Sequence, residues 1–420
     1  MLELGVIADD LTGGMMVASL LEREGVRCPL VTSTEGLAGL VVIGRKIRLL
    51  PAAQAVADAR RSAEALLAKG TKRIFYKYSA LFMSTEQGNI GPVSEALMEL
   101  TGAESVLFCP AWRGVTVYLG RLFVNDRMLH ESGASRDPAT PMTNSNLQEV
   151  LQSQSKVRVG LLPHRVLRDA KPAAEAFIAR GVRDGMRFFV VDAVAGEDVD
   201  RIAELAMDSP LSTGADQLPI HLARHWRQGR DKAAPSAFLP PAPGYQAVLS
   251  GSCSGNTNRQ LRAFEQRHPL FRIDLLQAAD DANVLDTIAD WAADKLEQGP
   301  VGIATTTDHD GVQRAQSVLG RQGSAHMAED LLGRVTVRLH DLGVRKFVVA
   351  GGETSGKVID TLGIDRLRVS PFDDLGGGYC HAAGADPMSL VTKAGGAGEE
   401  NFFDAALRRM QEADAAGKRG

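Results

Sequence analysis

Between Phe347 and Val358 the chain runs from an apolar stretch, Phe347-Val348-Val349-Ala350, through Gly351-Gly352-Glu353-Thr354-Ser355-Gly356-Lys357 into a helix-like segment, Val358-Ile359-Asp360-Thr361-Leu362. A strand that breaks on glycines before a helix is suited to an anion. Glycine lets backbone approach a ligand and adopt positive φ, and the unpaired N–H groups of a helix start attract phosphate. Gly351 through Lys357 also fits G-x-x-x-x-G-K, but Val358 follows, where a P-loop needs a hydroxyl for magnesium. That mismatch argues against a P-loop and leaves a glycine turn, with or without a ligand.

The same alternation recurs along the 420 residues. Leu4-Gly5-Val6-Ile7-Ala8 is a short apolar run followed by a helical pattern from Met15 to Glu24. Further strand-like runs lie at Arg27 to Val31, Leu40 to Ile43, Arg73 to Tyr78, Ser105 to Phe108, Val157 to Leu162 and Phe188 to Val191, with helical segments such as Ala52 to Lys69 between several of them. Such alternation predicts an α/β fold with largely parallel sheets flanked by helices. Residues 231–244 carry four prolines and little periodicity, which marks a linker. A first domain is therefore expected over 1–230 and a second over 245–420. The second series opens with Ala247-Val248-Leu249, continues through Phe271 to Leu275 and Val301 to Ala304, and ends with a helix from Asn401 onward.

The net charge of −4, spread without long runs, gives no electrostatic reason to expect nucleic acid or an acidic membrane as a partner. Cys28, Cys109, Cys253 and Cys380 show no C-x-x-C spacing, so reduced thiols in the cytoplasm are expected rather than a zinc knuckle or a disulfide framework. The amino terminus has no basic segment ahead of an apolar core, and no stretch approaches the roughly 20 apolar residues of a membrane span.

Polar residues gather where the strand-like runs end. Asp9 and Asp10 follow the first run, at the carboxyl edge where open α/β sheets hold ligands. Adjacent like charges are costly unless a cation or a substrate hydroxyl uses them, although Asp10 or Thr12 would also cap the next helix. Arg45, Lys77, Ser79 and Asp192 end other runs, and an arginine fork suits a carboxylate. The polar stretch 133–146 reads as a long loop, either a lid or an exposed connection. In the second half, Ser250 to Asn258, Thr305 to Asp308 and Lys393 to Gly398 are rich in glycine and hydroxyls. His221 and His225 have the spacing of a zinc helix, but Leu222 stands where H-E-x-x-H needs glutamate and no third ligand is indicated. Asp308-His309-Asp310 reads as a polar turn.

Seven blocks, in order, resemble the four-carbon acid sugar kinases: Ile7-Ala8-Asp9-Asp10-Leu11-Thr12-Gly13, Tyr76-Lys77-Tyr78-Ser79, Gln87-Gly88-Asn89-Ile90-Gly91-Pro92, Cys109-Pro110-Ala111, Thr140 to Leu147, Ser250 to Ser254, and Gly351 to Gly356. The resemblance spans nearly the whole chain. It implies an amino-terminal domain for a sugar acid, a carboxyl-terminal domain for ATP with magnesium, and an active site in the cleft between them. By that resemblance Asp9 and Asp10 are the catalytic pair, and Thr12, Arg45, Lys77 and Asn89 face the substrate. Ser252, Ser254, Gly351, Gly352, Glu353, Thr354 and Gly395 or Gly396 contact the nucleotide. No metal ligand is assigned, and a homodimer is kept open. A sugar-acid sensor that has lost transfer is the alternative reading.

One departure bears on the substrate. The family's first helix usually carries a third aspartate where this chain has Met16, whose thioether cannot hydrogen-bond a sugar hydroxyl as a carboxylate does. A branched or oxidised acid, such as 3-oxo-isoapionate or 3-oxo-tetronate, is then expected in place of plain threonate or erythronate. Met16→Asp is predicted to shift kcat/KM toward the linear, unoxidised acids; an unchanged ranking across that panel would count against the idea.

Overall fold

A parallel strand covered by helices on both faces must be apolar throughout. The first run meets this condition: β1 (Leu4–Ala8) is buried at every position. The computed structural model describes residues 4–35, 37, 40–137, 139–226, 239–371 and 378–417. The chain divides into two units, Met1–Ala233 and Ala234–Gly420.

In the first unit β1 is joined by β2 (Leu30–Val31), β3 (Val41–Gly44), β4 (Arg73–Lys77), β5 (Val106–Cys109), β6 (Val115–Tyr118), β7 (Arg121–Val124), β8 (Arg127–Met128), β9 (Arg158–Leu162), β10 (Met186–Val191) and β11 (Leu211–Gly214). The main sheet has the order β2-β3-β1-β4-β11-β5-β10-β9, and its pairings are parallel. The antiparallel ribbon β6-β7-β8 is an insertion that the sequence reading missed. β1 lies between β3 and β4, so the strand order reverses there. In an open α/β sheet that reversal opens a crevice at the carboxyl ends of the strands.

Helix Ala52–Ala68 shows how closely the layers meet. Its buried face is Ala55, Ala59, Ser62, Ala63 and Leu66, small residues at helical spacing. Leu66 presses on Gly5 of β1, where an added methyl would sit 2.6 Å from its Cδ1. The long loop expected over 133–146 contains a short 3-10 turn, Gly133–Arg136.

The second unit contains β12 (Tyr245–Ser250), β13 (Leu270–Arg272), β14 (Val301–Ala304), β15 (Val344–Ala350), β16 (Arg366–Val369), β17 (Gly378–Ala382) and β18 (Met388–Lys393). Within it the order is β13-β14-β12-β15-β18-β17-β16, parallel from β13 to β18 and antiparallel for the last two pairings. The order reverses between β12 and β15, so their following loops emerge together with that of β18. The strand expected from Phe271 to Leu275 is shorter, because Asp274 accepts N–H groups of Leu276 and Gln277 and starts a helix there.

Residues 231–238 of the expected linker lie outside the described residues. Its last part is packed on the second unit: Leu239 and Ala242 are buried, Ala242 N–H donates to Asp414 at 2.7 Å, and the Gly244 carbonyl accepts from Lys346 Nζ at 2.9 Å. Among the described residues no helix is long and apolar enough to cross a membrane. The cysteines are all free, and burial pushes the Cys109 thiol up to about 12.

Leu66 is fully buried, so Leu66→Ala is expected to cost about 2–5 kcal/mol through lost burial and a residual cavity. Denaturant unfolding should show a lower midpoint for the transition of the first unit; an unchanged midpoint would refute the packing described.

Candidate active site

In the first unit the acidic pair sits at the end of β1, where the strand order reverses. Asp10 caps helix Leu11–Arg23, its Oδ1 accepting the Gly13 N–H at 2.6 Å. Of the two capping candidates, Asp10 is therefore the cap. The Thr12 hydroxyl is buried with no hydrogen-bond partner among the described residues. Asp9 and Asp10 are both buried, so their charges need compensation. Arg48 supplies it with all three guanidinium nitrogens: Nε and Nη2 donate to Asp9 at 2.8 and 2.9 Å, and Nη1 lies 2.7 Å from Asp10 Oδ2. The sequence reading missed Arg48, since a lone arginine in a loop carries no motif.

That loop is itself fixed. Ile47 and Arg48 donate their backbone N–H groups to the Asp9 carbonyl at 3.0 and 3.2 Å. The Asn89 side-chain amide reaches the carbonyls of Ile47, Arg48 and Leu50 at 2.7, 3.2 and 3.0 Å. Asn89 thus holds the segment that presents Arg48.

Lys77, at the end of β4, is 2% exposed. Its Nζ donates to the Tyr78 carbonyl at 2.9 Å and lies 3.4 Å from Asp216, which follows β11. Burial pushes the Asp216 carboxyl above the ordinary range; Lys77 opposes this and the Asp10 charge adds to it. Lys77 and Asp10 converge on Gly13, where an added methyl would sit 2.7 Å from Nζ and 2.6 Å from Oδ1. A side chain there would displace the ammonium or the capping carboxylate.

Arg45 stands further off. Its Nε and Nη2 each lie 2.5 Å from the Asp58 carboxylate, and Nη1 donates to the Thr32 carbonyl at 2.6 Å. Asp192, at the end of β10, accepts the N–H groups of Leu119, Gly120 and His164 at 2.9–3.0 Å, so it anchors the inserted ribbon and the short helix that follows β9. Ser79 accepts the Leu81 N–H at 3.3 Å.

In the second unit three turns meet at the strand ends of β12, β15 and β18. Gly351 has φ +123°, a conformation that favours glycine, and its N–H donates to the Lys393 carbonyl at 3.0 Å. Gly352 opens the next helix, with Glu353 in its first turn. Thr354 lies against Gly251, where an added methyl would sit 2.2 Å from its hydroxyl. Ser254 caps helix Gly255–Glu265, accepting the Thr257 N–H at 3.1 Å and donating to the Gly395 carbonyl at 2.6 Å. Ser252 Oγ accepts from Thr257 Oγ1 at 3.1 Å. A methyl on Gly395 would meet that same Ser252 hydroxyl at 2.7 Å, whereas Gly396 faces open space.

The turn after β18 is braced by residues that carry no recognisable motif. Asn256 Nδ2 donates to Ala397 and Gly398 carbonyls at 3.1 and 2.9 Å, and Gln260 Nε2 to those of Gly398 and Glu399 at 3.0 and 2.9 Å. Lys393 is almost completely buried, with Nζ 3.0 Å from Thr257 Oγ1 and 3.3 Å from the Gly395 carbonyl. Burial pushes its ammonium down to about 8. The Thr305 hydroxyl nearby in sequence to Thr306, whose Oγ1 bonds Ser250 at 2.6 Å, is buried with no partner among the described residues. Glycine backbone, hydroxyls and a buried cation form a suitable cradle for phosphates.

Lys357 does not act as a P-loop lysine here, since its Nζ pairs with Asp330 at 2.9 Å and the next residue, Val358, is core. Asp308 caps helix His309–Leu319 through the Gly311 N–H, in keeping with a polar turn. The histidine pair on helix Leu218–Trp226 does find a partner, because His221 and His225 both face Asp200.

Asn89→Ala removes one amide that serves three carbonyls, so about 1–3 kcal/mol of stability is expected to be lost. A thermal unfolding temperature equal to wild type would refute its bracing role.

Two family models match, a sugar-binding N-terminal domain over residues 4–220 and a nucleotide-binding C-terminal domain over residues 247–403. The chain is 38% identical to a 3-oxo-tetronate kinase of Burkholderia multivorans, with 98% of each chain covered. It is 34% identical to one of Salmonella typhimurium, covering 98% of this chain and 100% of that one. A crystal structure from Salmonella typhimurium LT2, described there as a candidate tRNA synthase, superposes with a TM-score of 0.81 at 33% identity, covering 97% and 99% of the two chains. A Haemophilus influenzae protein of the DUF1537 family gives a TM-score of 0.72 at 30% identity, covering 97% and 100%. With an acidic pair in the sugar-binding half and a glycine cradle in the nucleotide-binding half, the chain belongs to the four-carbon acid sugar kinase family.

Proposed function

We propose that the protein is an ATP- and magnesium-dependent kinase that phosphorylates a hydroxyl of a small oxidised sugar acid of the 3-oxo-tetronate class. The observation that carries this reading is full-length similarity to proteins named 3-oxo-tetronate kinase, in a chain that retains both polar clusters. An oxidised acid also suits Met16, because a ketone carbon presents no hydroxyl for a carboxylate to bind.

Phosphoryl transfer depends on positioning and charge neutralisation more than on covalent chemistry. In this scheme Asp9 and Asp10 orient the attacking hydroxyl, and one of them takes its proton. Arg48 already spends its nitrogens on that pair, so a substrate carboxylate competes with them for the same guanidinium. Both arginine forks are engaged by carboxylates, Arg45 by Asp58 and Arg48 by the acidic pair; because Arg48 stands at that pair, we assign the anion grip to Arg48, with Lys77, in place of Arg45. In the second unit Ser252, Ser254, Gly351 to Thr354 and Gly395 hold the nucleotide phosphates, and Lys393 compensates their charge. Magnesium, when bound with the nucleotide, neutralises phosphate charge during transfer.

The test is ADP release from ATP and magnesium over threonate, erythronate, their 3-oxo forms and branched apionate derivatives. Turnover on a 3-oxo acid is expected. ATP bound without turnover on any acid would favour the sensor instead. Asp9→Asn and Arg48→Met are expected to lower kcat/KM by about 100-fold or more, the scale of losing a group that acts in the transition state, with nucleotide affinity retained. Wild-type kcat/KM in both would remove these roles.

The lysine gives a pH signature. A neighbouring phosphate favours the charged ammonium, so nucleotide binding near pH 8 should draw in protons. Calorimetry in two buffers of different ionisation enthalpy should report that uptake, and Lys393→Met should abolish it. In the ligand-free protein the sign differs: the unfolded chain binds more protons between about pH 8 and 10, so the burial penalty fades as pH rises through that window.

A further inference from the structure

Outside both clusters, helices Gly196–Ala206 and Leu218–Trp226 of the first unit pack together and face each other with complementary ligand types. Asp200 and Glu204 are four residues apart on the first helix, and His221 and His225 four apart on the second. That spacing puts each pair on one helix face. His221 Nδ1 lies 2.9 Å and His225 Nε2 3.1 Å from one oxygen, Oδ1 of Asp200. One ligand atom each from Asp200, Glu204 and His225 falls within 4.8 Å of the others. Tetrahedral zinc donors at about 2.0–2.2 Å from the ion stand roughly 3.3 Å apart, so side-chain adjustment closes the set.

The surrounding groove is also lined by Arg168, Arg201 and Arg224, and the charge of Arg224 acts on Asp200, although each arginine has another partner. Arg168 pairs with Glu197 and Asp198, Arg224 with Glu24, and Arg201 donates to the Asp169 carbonyl. Glu204 has no ion pair or hydrogen bond among the described residues, although it is only partly exposed. The group thus draws one histidine from its own helix and two carboxylates from a neighbouring one, and is not an H-E-x-x-H arrangement.

We propose that Asp200, Glu204 and His225 form a binding site for a divalent transition-metal ion of the zinc class, with His221 holding Asp200 in place. Two carboxylate oxygens and an imidazole suit zinc, and the open side of the groove leaves the remaining position to water.

The test uses the full chain, stripped with a chelator and titrated with zinc chloride by calorimetry, with cobalt(II) as an optical probe. About one zinc per chain is expected, with the visible absorption of low-symmetry cobalt. Glu204→Gln and His225→Ala should each weaken binding by about 10-fold or more, and His221→Ala by roughly 10- to 100-fold as an outer partner. His340→Ala, at a surface ion pair of the second unit, should leave it unchanged. His225→Gln, checked for native melting, covers the case in which the alanine variant misfolds. Zinc uptake that is absent in wild type, or equal in wild type and in Glu204→Gln and His225→Gln, would overturn the site.

Discussion

One guanidinium makes the centre of the first unit possible. Asp9 and Asp10 are adjacent, buried and at the end of the central strand, an arrangement that repels itself unless compensated. Arg48 bonds both, and its position depends on a loop whose carbonyls are gathered by Asn89. A buried charge pair that loses one partner costs several kcal/mol, because the other charge stays behind. The loop conformation, the strand end and the start of the first helix are therefore mutually dependent. The two buried carboxylates are tolerable only as parts of that assembly.

The second unit solves a different problem, how to receive a highly charged ligand without a P-loop. Glycines at Gly351 and Gly395 let three turns come within contact distance, and Ser254, Asn256 and Gln260 secure the last turn to one helix. Such a preformed turn gives up little conformational entropy when a ligand arrives. Lys393 sits beneath it, with a proton affinity lowered by burial and so responsive to added negative charge.

The alternation of apolar runs and helices was enough to read the α/β class, because parallel strands buried on both faces leave continuous hydrophobic runs. Short or partly exposed strands, such as the ribbon β6-β7-β8 and β11, left no comparable signal. Motif residues at strand ends, among them Asp9, Asp10, Lys77 and Ser254, were legible because the chemistry of a strand end is local in sequence. Arg48, Asp216, Asn256 and Lys393 were not, since each matters through partners distant in the chain. Arg45 also stands at a strand end, and its partner Asp58 is likewise distant enough in the chain to leave no motif. The histidine pair has its carboxylate partner, Asp200, on a neighbouring helix, which its own spacing could not reveal.

Asp10 carries a further consequence. The same carboxylate starts a helix and belongs to the acidic pair, so one side chain serves both as a cap and as a partner of Arg48. Natural selection cannot tune the two separately at this position: drift toward asparagine or serine keeps a helix cap but surrenders the negative charge, and glutamate keeps the charge but is a poorer cap. Aspartate meets both demands at this position, whereas the side chain of Asp9 has no capping duty.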